Sequence, residues 1–255
     1  MKTISIINLK GGVGKTVTAV NMAVILAKDY KQNVLVIDAD PQANTTQFFG
    51  AVDAPCGTLR EVLRGSVVDT GDCTHSTGPK YGMIDLVPAD ISLIEADIAS
   101  VRTGGTLSRL YDFCEAANDD GYYDYVIIDC PPSFTAASVA SIYASDEIII
   151  PVAVDSFALA GMAELVAQIN SVRSLRKGIK LAGVLITMWR DTPAVTQGET
   201  ILRKSALPVY DTVIRRSERI VESTFKREAI IDYSPRSSAA RAYRRFVSEY
   251  LGGEA

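Results

Sequence analysis

The sequence predicts an α/β protein, a mostly parallel twisted sheet with helices on both faces. Apolar runs dense in β-branched residues recur over 3–7, 33–37, 125–128, 148–152 and 181–188. They are apolar along their whole length, the pattern of strands buried on both sides. Between runs lie segments with apolar residues at helical spacing, such as Val20, Ala23, Val24 and Ala27. Two runs end in an aspartate, Asp38 and Asp129, and in a parallel sheet ligands sit outside the carboxyl ends of the strands.

The strand over 3–7 runs into Asn8-Leu9-Lys10-Gly11-Gly12-Val13-Gly14-Lys15-Thr16 and then into the first helix. Strand, glycine loop and helix in that order are the context in which G-x-x-x-x-G-K-[ST] means phosphate binding. Gly11, Gly12 and Gly14 let several N–H groups point at one spot, where the helix N-terminus adds positive partial charge. The match is to a variant form, because Leu9 stands where a glycine is required and Lys10 precedes the glycines. Lys15 is expected on the β- and γ-phosphates and the Thr16 hydroxyl on magnesium. Lys10 alone would be a solvated loop lysine; with the motifs that follow, it becomes a second phosphate ligand.

The next strand closes in Asp38-Ala39-Asp40-Pro41-Gln42. Asp before Pro also opens turns, but two carboxylates at the end of an apolar strand beside a phosphate loop point to chemistry. Residues 51–83 carry scattered glycines and Pro79. A short helix over 58–63 and a polar loop over 69–80 are expected there. A strand follows over 84–87, then helices over 91–101 and 107–117. The strand closing in Asp129-Cys130-Pro131-Pro132 has the form that brings a carboxylate to the sheet edge to hold magnesium. After the strand over 147–152 come a helix ending near 175, the strand over 181–188, a helix over 194–205 and a strand over 210–214. The closing helix, 237–251, places Ala240, Tyr243 and Val247 on one side, with Arg241, Arg244 and Arg245 largely elsewhere.

At 255 residues the chain has room for one large α/β core, and we expect one domain over 1–255, with no repeat or linker. No apolar run reaches the length of about 20 residues that spans a bilayer, and Met1-Lys2 leaves no room for a signal peptide, so a cytoplasmic protein is expected. Cys56, Cys73, Cys114 and Cys130 form no C-x-x-C pair and His75 is the only histidine, which excludes a zinc set. Cys130 is expected to be buried filler. A net charge of −4 argues against coating nucleic acid by bulk charge. Residues 203–245, however, hold eleven Lys/Arg against five Asp/Glu, a local +6 on a remainder of −10.

The run Lys10-Gly-Gly-Val-Gly-Lys15-Thr16 followed by Val36-Ile37-Asp38-Ala39-Asp40-Pro41-Gln42 resembles the ParA/Soj family of deviant Walker-A P-loop ATPases. Its wider group includes MinD and the nitrogenase iron protein. The resemblance extends to Asp129-Cys-Pro-Pro, to Ala158-Leu-Ala-Gly161 and to Asp232-Tyr-Ser-Pro-Arg-Ser237, nearly the whole chain. It implies ATP and Mg2+ as cofactors, with magnesium on Thr16, Asp38 and Asp129. Asp40 orients the attacking water, and Lys10 reaches the ATP of the partner subunit much as an arginine finger does. Nucleotide contacts fall on Lys10, Gly11, Gly12, Val13, Gly14, Lys15, Thr16 and Val17, with Met188, Ile214 and Arg215 near the base.

It further implies a homodimer when ATP is bound, slow turnover without a ParB-like activator, non-specific DNA as a ligand and a place at the nucleoid. Arg215, Arg216, Arg219, Lys226 and Arg245 are the candidate DNA contacts, although Arg216 and Arg219 have Glu218 and Glu222 at pairing distance along a helix. Departures are Val17 for a second threonine, Ala43 for glycine and Arg215 for proline. No N-terminal helix-turn-helix unit is expected. The competing readings are a MinD-like membrane-surface ATPase, against which the acidic tip of the chain argues, and a metabolic enzyme such as an amide-forming ligase. No stable membrane insertion is expected.

Overall fold

The computed structural model describes residues 1–67, 69–96 and 107–253. Eight strands form one sheet: β1 (Lys2–Ile6), β2 (Val34–Asp38), β3 (His75–Ser76), β4 (Ile84–Val87), β5 (Tyr125–Asp129), β6 (Glu147–Ala153), β7 (Lys180–Trp189) and β8 (Val209–Arg215). Their spatial order is β3-β4-β2-β5-β1-β6-β7-β8, parallel except for the β3–β4 pair. From β1 the chain runs outward through β2 and β4, returns to β5, and then builds the other half. This reversal opens a crevice at the carboxyl ends of β1 and β5, where doubly wound sheets take ligands.

Alternation within each strand serves two cores. Ile4, Ile6, Val34, Val36, Ile127, Ile149 and Leu185 face helices α1 (Lys15–Lys28) and the C-terminal Ser238–Tyr250. Leu35, Ile37, Val126, Ile128, Ile148, Ile150 and Ile186 face the opposite layer with Leu59, Leu110, Ala140 and Leu165. Both faces are thus buried, and burial on both faces is what the unbroken apolar runs demanded.

The other helices bounded within the described residues are α2 (Asn44–Phe48), α3 (Leu59–Arg64), α4 (Arg109–Asp119), α5 (Ala136–Ala144), α6 (Ser156–Leu175), α7 (Pro193–Arg203), α8 (Glu218–Phe225), α9 (Ile230–Tyr233) and α10 (Ser238–Tyr250). Thr58 starts α3 with a reciprocal capping box to Glu61, and Gly65 ends it in the left-handed region at φ 71°. The expected loop over 69–80 instead contains β3 and two short 3-10 turns. A two-residue edge strand is too short to show a period. α5 also escapes the sequence pattern, because AASVASIYA is small and apolar all round rather than on one face. The expected helix over 91–101 lies partly outside the described residues.

Candidate functional site

The loop after β1 is shaped by backbone that only glycine adopts without strain. Gly12 has φ 72° and Gly14 has φ 87°. Gly14 is the N-cap of α1, and no side chain caps that end, so first-turn N–H groups face the loop's concavity. Two buried side chains that the sequence pattern did not reveal hold the loop in place. Asn8 donates from Nδ2 to the Pro151 carbonyl (2.7 Å) and accepts the Lys10 N–H at Oδ1 (2.9 Å). Thr187 donates its hydroxyl to the Val13 carbonyl at 2.7 Å. The first bond ties the loop to β6, the second to β7.

The two loop lysines differ in setting. Lys15 is buried, with Nζ 3.1 Å from the Lys10 carbonyl. Burial lowers its pKa, against the opposing charges of Asp129 and Asp40. Lys10 stands at the rim, half-exposed, and its ammonium pairs with Asp155.

Three carboxylates converge beneath the loop. Asp38 and Asp129 are register partners across β2 and β5, both fully enclosed. Asp38 accepts the Thr46 N–H and hydroxyl on Oδ2, each at 2.8 Å, and the Asp40 N–H on Oδ1 at 3.1 Å. Asp129 accepts the Thr45 hydroxyl on Oδ2 at 2.8 Å, while its buried Oδ1 has no partner. Asp40, nearly buried, uses Oδ1 to hold the Gln42 N–H at 2.9 Å. Burial raises both the Asp38 and Asp129 pKa values; the Asp129 charge adds to the first and the Asp40 charge to the second. The Thr16 and Thr45 hydroxyls and, more weakly, the Lys15 charge act on Asp129 in the opposite sense.

A buried carboxylate oxygen without a partner is costly, and a cation against Asp129 Oδ1 removes that cost. Oxygen donors suit magnesium, so the residues present fit the ion. The Asp38 oxygens are engaged by Thr46 and Asp40, which leaves Asp38 to contribute charge more than a coordinating atom. Among the described residues no group of three or more His, Cys, Asp or Glu is arranged to hold a metal ion by itself. Cys130 is buried, and burial pushes its thiol up to about 12, so it carries no thiolate chemistry.

Beside the loop, Gly14, Val17, Met188, Ile214, Ile220 and Tyr243 line an apolar pocket, which brings together the residues expected near the base. The Arg215 guanidinium covers the Trp189 ring at 4.3 Å. On its other side, Arg215 shares a cleft between β8 and α10 with Arg241 and Arg245. Arg216 joins the apolar pocket, and Lys226 ends α8, exposed. Arg219 is bound to Glu222 at 2.9 Å along α8.

Comparison with known proteins agrees with this geometry. A family model described as an AAA domain matches residues 1–181. The chromosome partitioning protein ParA of Caulobacter vibrioides is 34% identical over 260 residues, covering 100% of this chain and 95% of that one. An ATP complex of a McdA variant from Cyanothece superposes with a TM-score of 0.87 at 27% identity, over 100% of this chain and 98% of the other. Cobyrinic acid a,c-diamide synthase of Mycobacterium smegmatis, with bound ATP analogue and magnesium, gives 0.81 at 28%, over 98% and 94%. With a glycine loop, a P-loop lysine and a metal-ready carboxylate in one crevice, the protein is an ATPase that uses ATP and Mg2+. The chain belongs to the ParA/Soj-type partition and positioning ATPases of the AAA-domain family.

Proposed function

We propose that the protein is an ATP-dependent dimerisation switch that binds DNA without sequence preference and partitions or positions a cargo with a ParB-like activator. Residues 1–255 serve as one ATPase unit, cytoplasmic and associated with the nucleoid. The observation that carries this reading is the division of labour between the two loop lysines. Lys15 is buried toward its own nucleotide site, whereas Lys10 stands at the rim with its ammonium paired to Asp155, where a second subunit can meet it.

Lys15 and the loop N–H groups of Gly11 to Val17 hold the phosphates; Thr16 and Asp129 hold magnesium, with Asp38 adding negative charge behind them. Bound magnesium neutralises charge developing on the phosphate oxygens. Asp40 orients the attacking water, and Lys10 lends its positive charge to the partner's γ-phosphate. Met188, Ile214 and Arg215 flank the base. Loss of the γ-phosphate removes the contact on which the dimer depends. Arg215 and Arg245 from one cleft, with Arg216 and Lys226 around it, supply backbone contacts to DNA, while Arg219 is paired with Glu222, so binding weakens steeply with salt.

The test is binding to non-specific DNA without nucleotide, with ADP, with ATP and with a slowly hydrolysed analogue, at two salt concentrations, for the wild type and Asp40→Ala. Binding that needs the triphosphate, falls with salt and persists in Asp40→Ala supports the switch. Absence of binding in every nucleotide state sinks it. The likeness to an amide-forming synthase favours a second reading, in which turnover responds to a carboxylate substrate and not to DNA. For a lipid-inserting C-terminus there is no such support, because Ala239, Ala240, Tyr243, Phe246 and Val247 of α10 are spent on the core.

A further inference from the structure

α2 is only five residues long, yet it supplies the side chains that finish both carboxylates at the ends of β2 and β5. Thr45 and Thr46 are both buried. Thr46 donates twice to Asp38 Oδ2 and accepts the Ala89 N–H on its own hydroxyl at 2.9 Å, so Asp38 is closed off and tied to the segment beyond β4. Thr45 acts differently, because its single hydroxyl bond takes Asp129 Oδ2 and leaves Oδ1 with no partner. The helix that carries both threonines is pinned from behind: Phe49 stacks edge-on to Tyr81 at 5.5 Å and to Phe48 at 5.2 Å.

A carboxylate at a strand end retains rotation about its terminal torsion, and a donor fixed on one oxygen removes it. We infer that Thr45 is a positioning residue for the metal site, clamping Asp129 through Oδ2 so that Oδ1 alone is presented to magnesium. The inference rests on the reading of Asp129 as the metal carboxylate. It assigns a role to a side chain 84 positions from its target in the chain, outside every motif of the loop and strand ends.

The experiment measures Mn2+ binding, by loss of the free-ion EPR signal, in the presence of saturating ADP, so no turnover is involved. Wild type, Thr45→Val, Thr45→Ser and Asp129→Asn are compared. Metal-free ADP binding in EDTA is followed by fluorescence of Trp189, the sole tryptophan, beside the base pocket. Loss of a partner that orients a ligand costs about 10- to 100-fold in metal affinity. Thr45→Val is expected to weaken Mn2+ by about tenfold or more, Thr45→Ser to restore the wild-type value, and both to bind ADP in EDTA as the wild type does. Thr45→Ala, expected to match Thr45→Val, replaces it should the valine protein not fold.

If Asp129→Asn loses Mn2+ while Thr45→Val keeps it, the positioning role is refuted and the metal assignment stands. If Asp129→Asn keeps Mn2+, the metal assignment itself is wrong. Equal weakening by Val and Ser, or a parallel loss of ADP binding in EDTA, shows distortion of α2 and overturns the inference.

Discussion

Replacing Asp129 by Asn is expected to stabilise the nucleotide-free protein at pH 8, although it removes a residue of the active crevice. In the folded chain burial pushes the Asp129 carboxyl up from 3.8 to about 6. The folded state therefore holds its proton after the unfolded state has released it. Wild-type stability falls as pH rises from near 4 to near 6, and the full penalty persists above that. A rise of roughly two units at 1.36 kcal/mol each sets an upper bound of about 3 kcal/mol. Asn keeps an acceptor for the Thr45 hydroxyl but puts an unpartnered amide where Oδ1 was, which returns about 1 kcal/mol. The net gain is about 1–2 kcal/mol at pH 8, shrinking as pH falls from 6 to 4. Urea unfolding of both proteins in EDTA at pH 4.5, 6 and 8 measures it. A variant less stable at pH 8, or a difference independent of pH, would refute the account of a charged, partnerless oxygen.

Three further outcomes follow from the same geometry. Gly14→Ala places a Cβ in open space but at φ 87°, so the backbone alone costs about 1–2 kcal/mol; calorimetry should show a melting point a few degrees lower, with ADP binding lost because the loop cannot keep its shape. Phe246→Ala empties a fully buried site packed edge-on against Tyr210 and is expected to cost about 3–5 kcal/mol by denaturant unfolding. Arg219→Ala should leave the salt slope of DNA binding nearly unchanged, since Glu222 already neutralises that guanidinium, whereas Arg215→Ala or Arg245→Ala should lower the slope by about one; identical slopes for all three would remove the cleft from the interface.

Much of the architecture was legible because it is local. The β-branched runs announced seven of the strands, and the glycine loop between strand and helix announced the phosphate site. Asp38 and Asp129 announced themselves by standing at strand ends. The closing helix was legible from the spacing of Ala240, Tyr243 and Val247, all now in the core. β3, α2, α5 and α9 were not legible, being too short or too uniformly apolar to show a period.

The sequence by itself determined which residues lie at the carboxyl ends of the strands, since strand period and loop chemistry are carried by neighbours in the chain. Only the tertiary structure decided what each of them meets there. Sheet register sets Asp38 against Asp129, α2 gives Thr46 to one and Thr45 to the other, and one carboxylate oxygen is left bare. The same holds for the basic residues: Arg219 is spent on its helix neighbour, while Arg215 and Arg245, thirty positions apart, line one cleft. Such pairings depend on how elements dock, and docking is settled by burial of apolar faces that carry no record of which polar groups will meet.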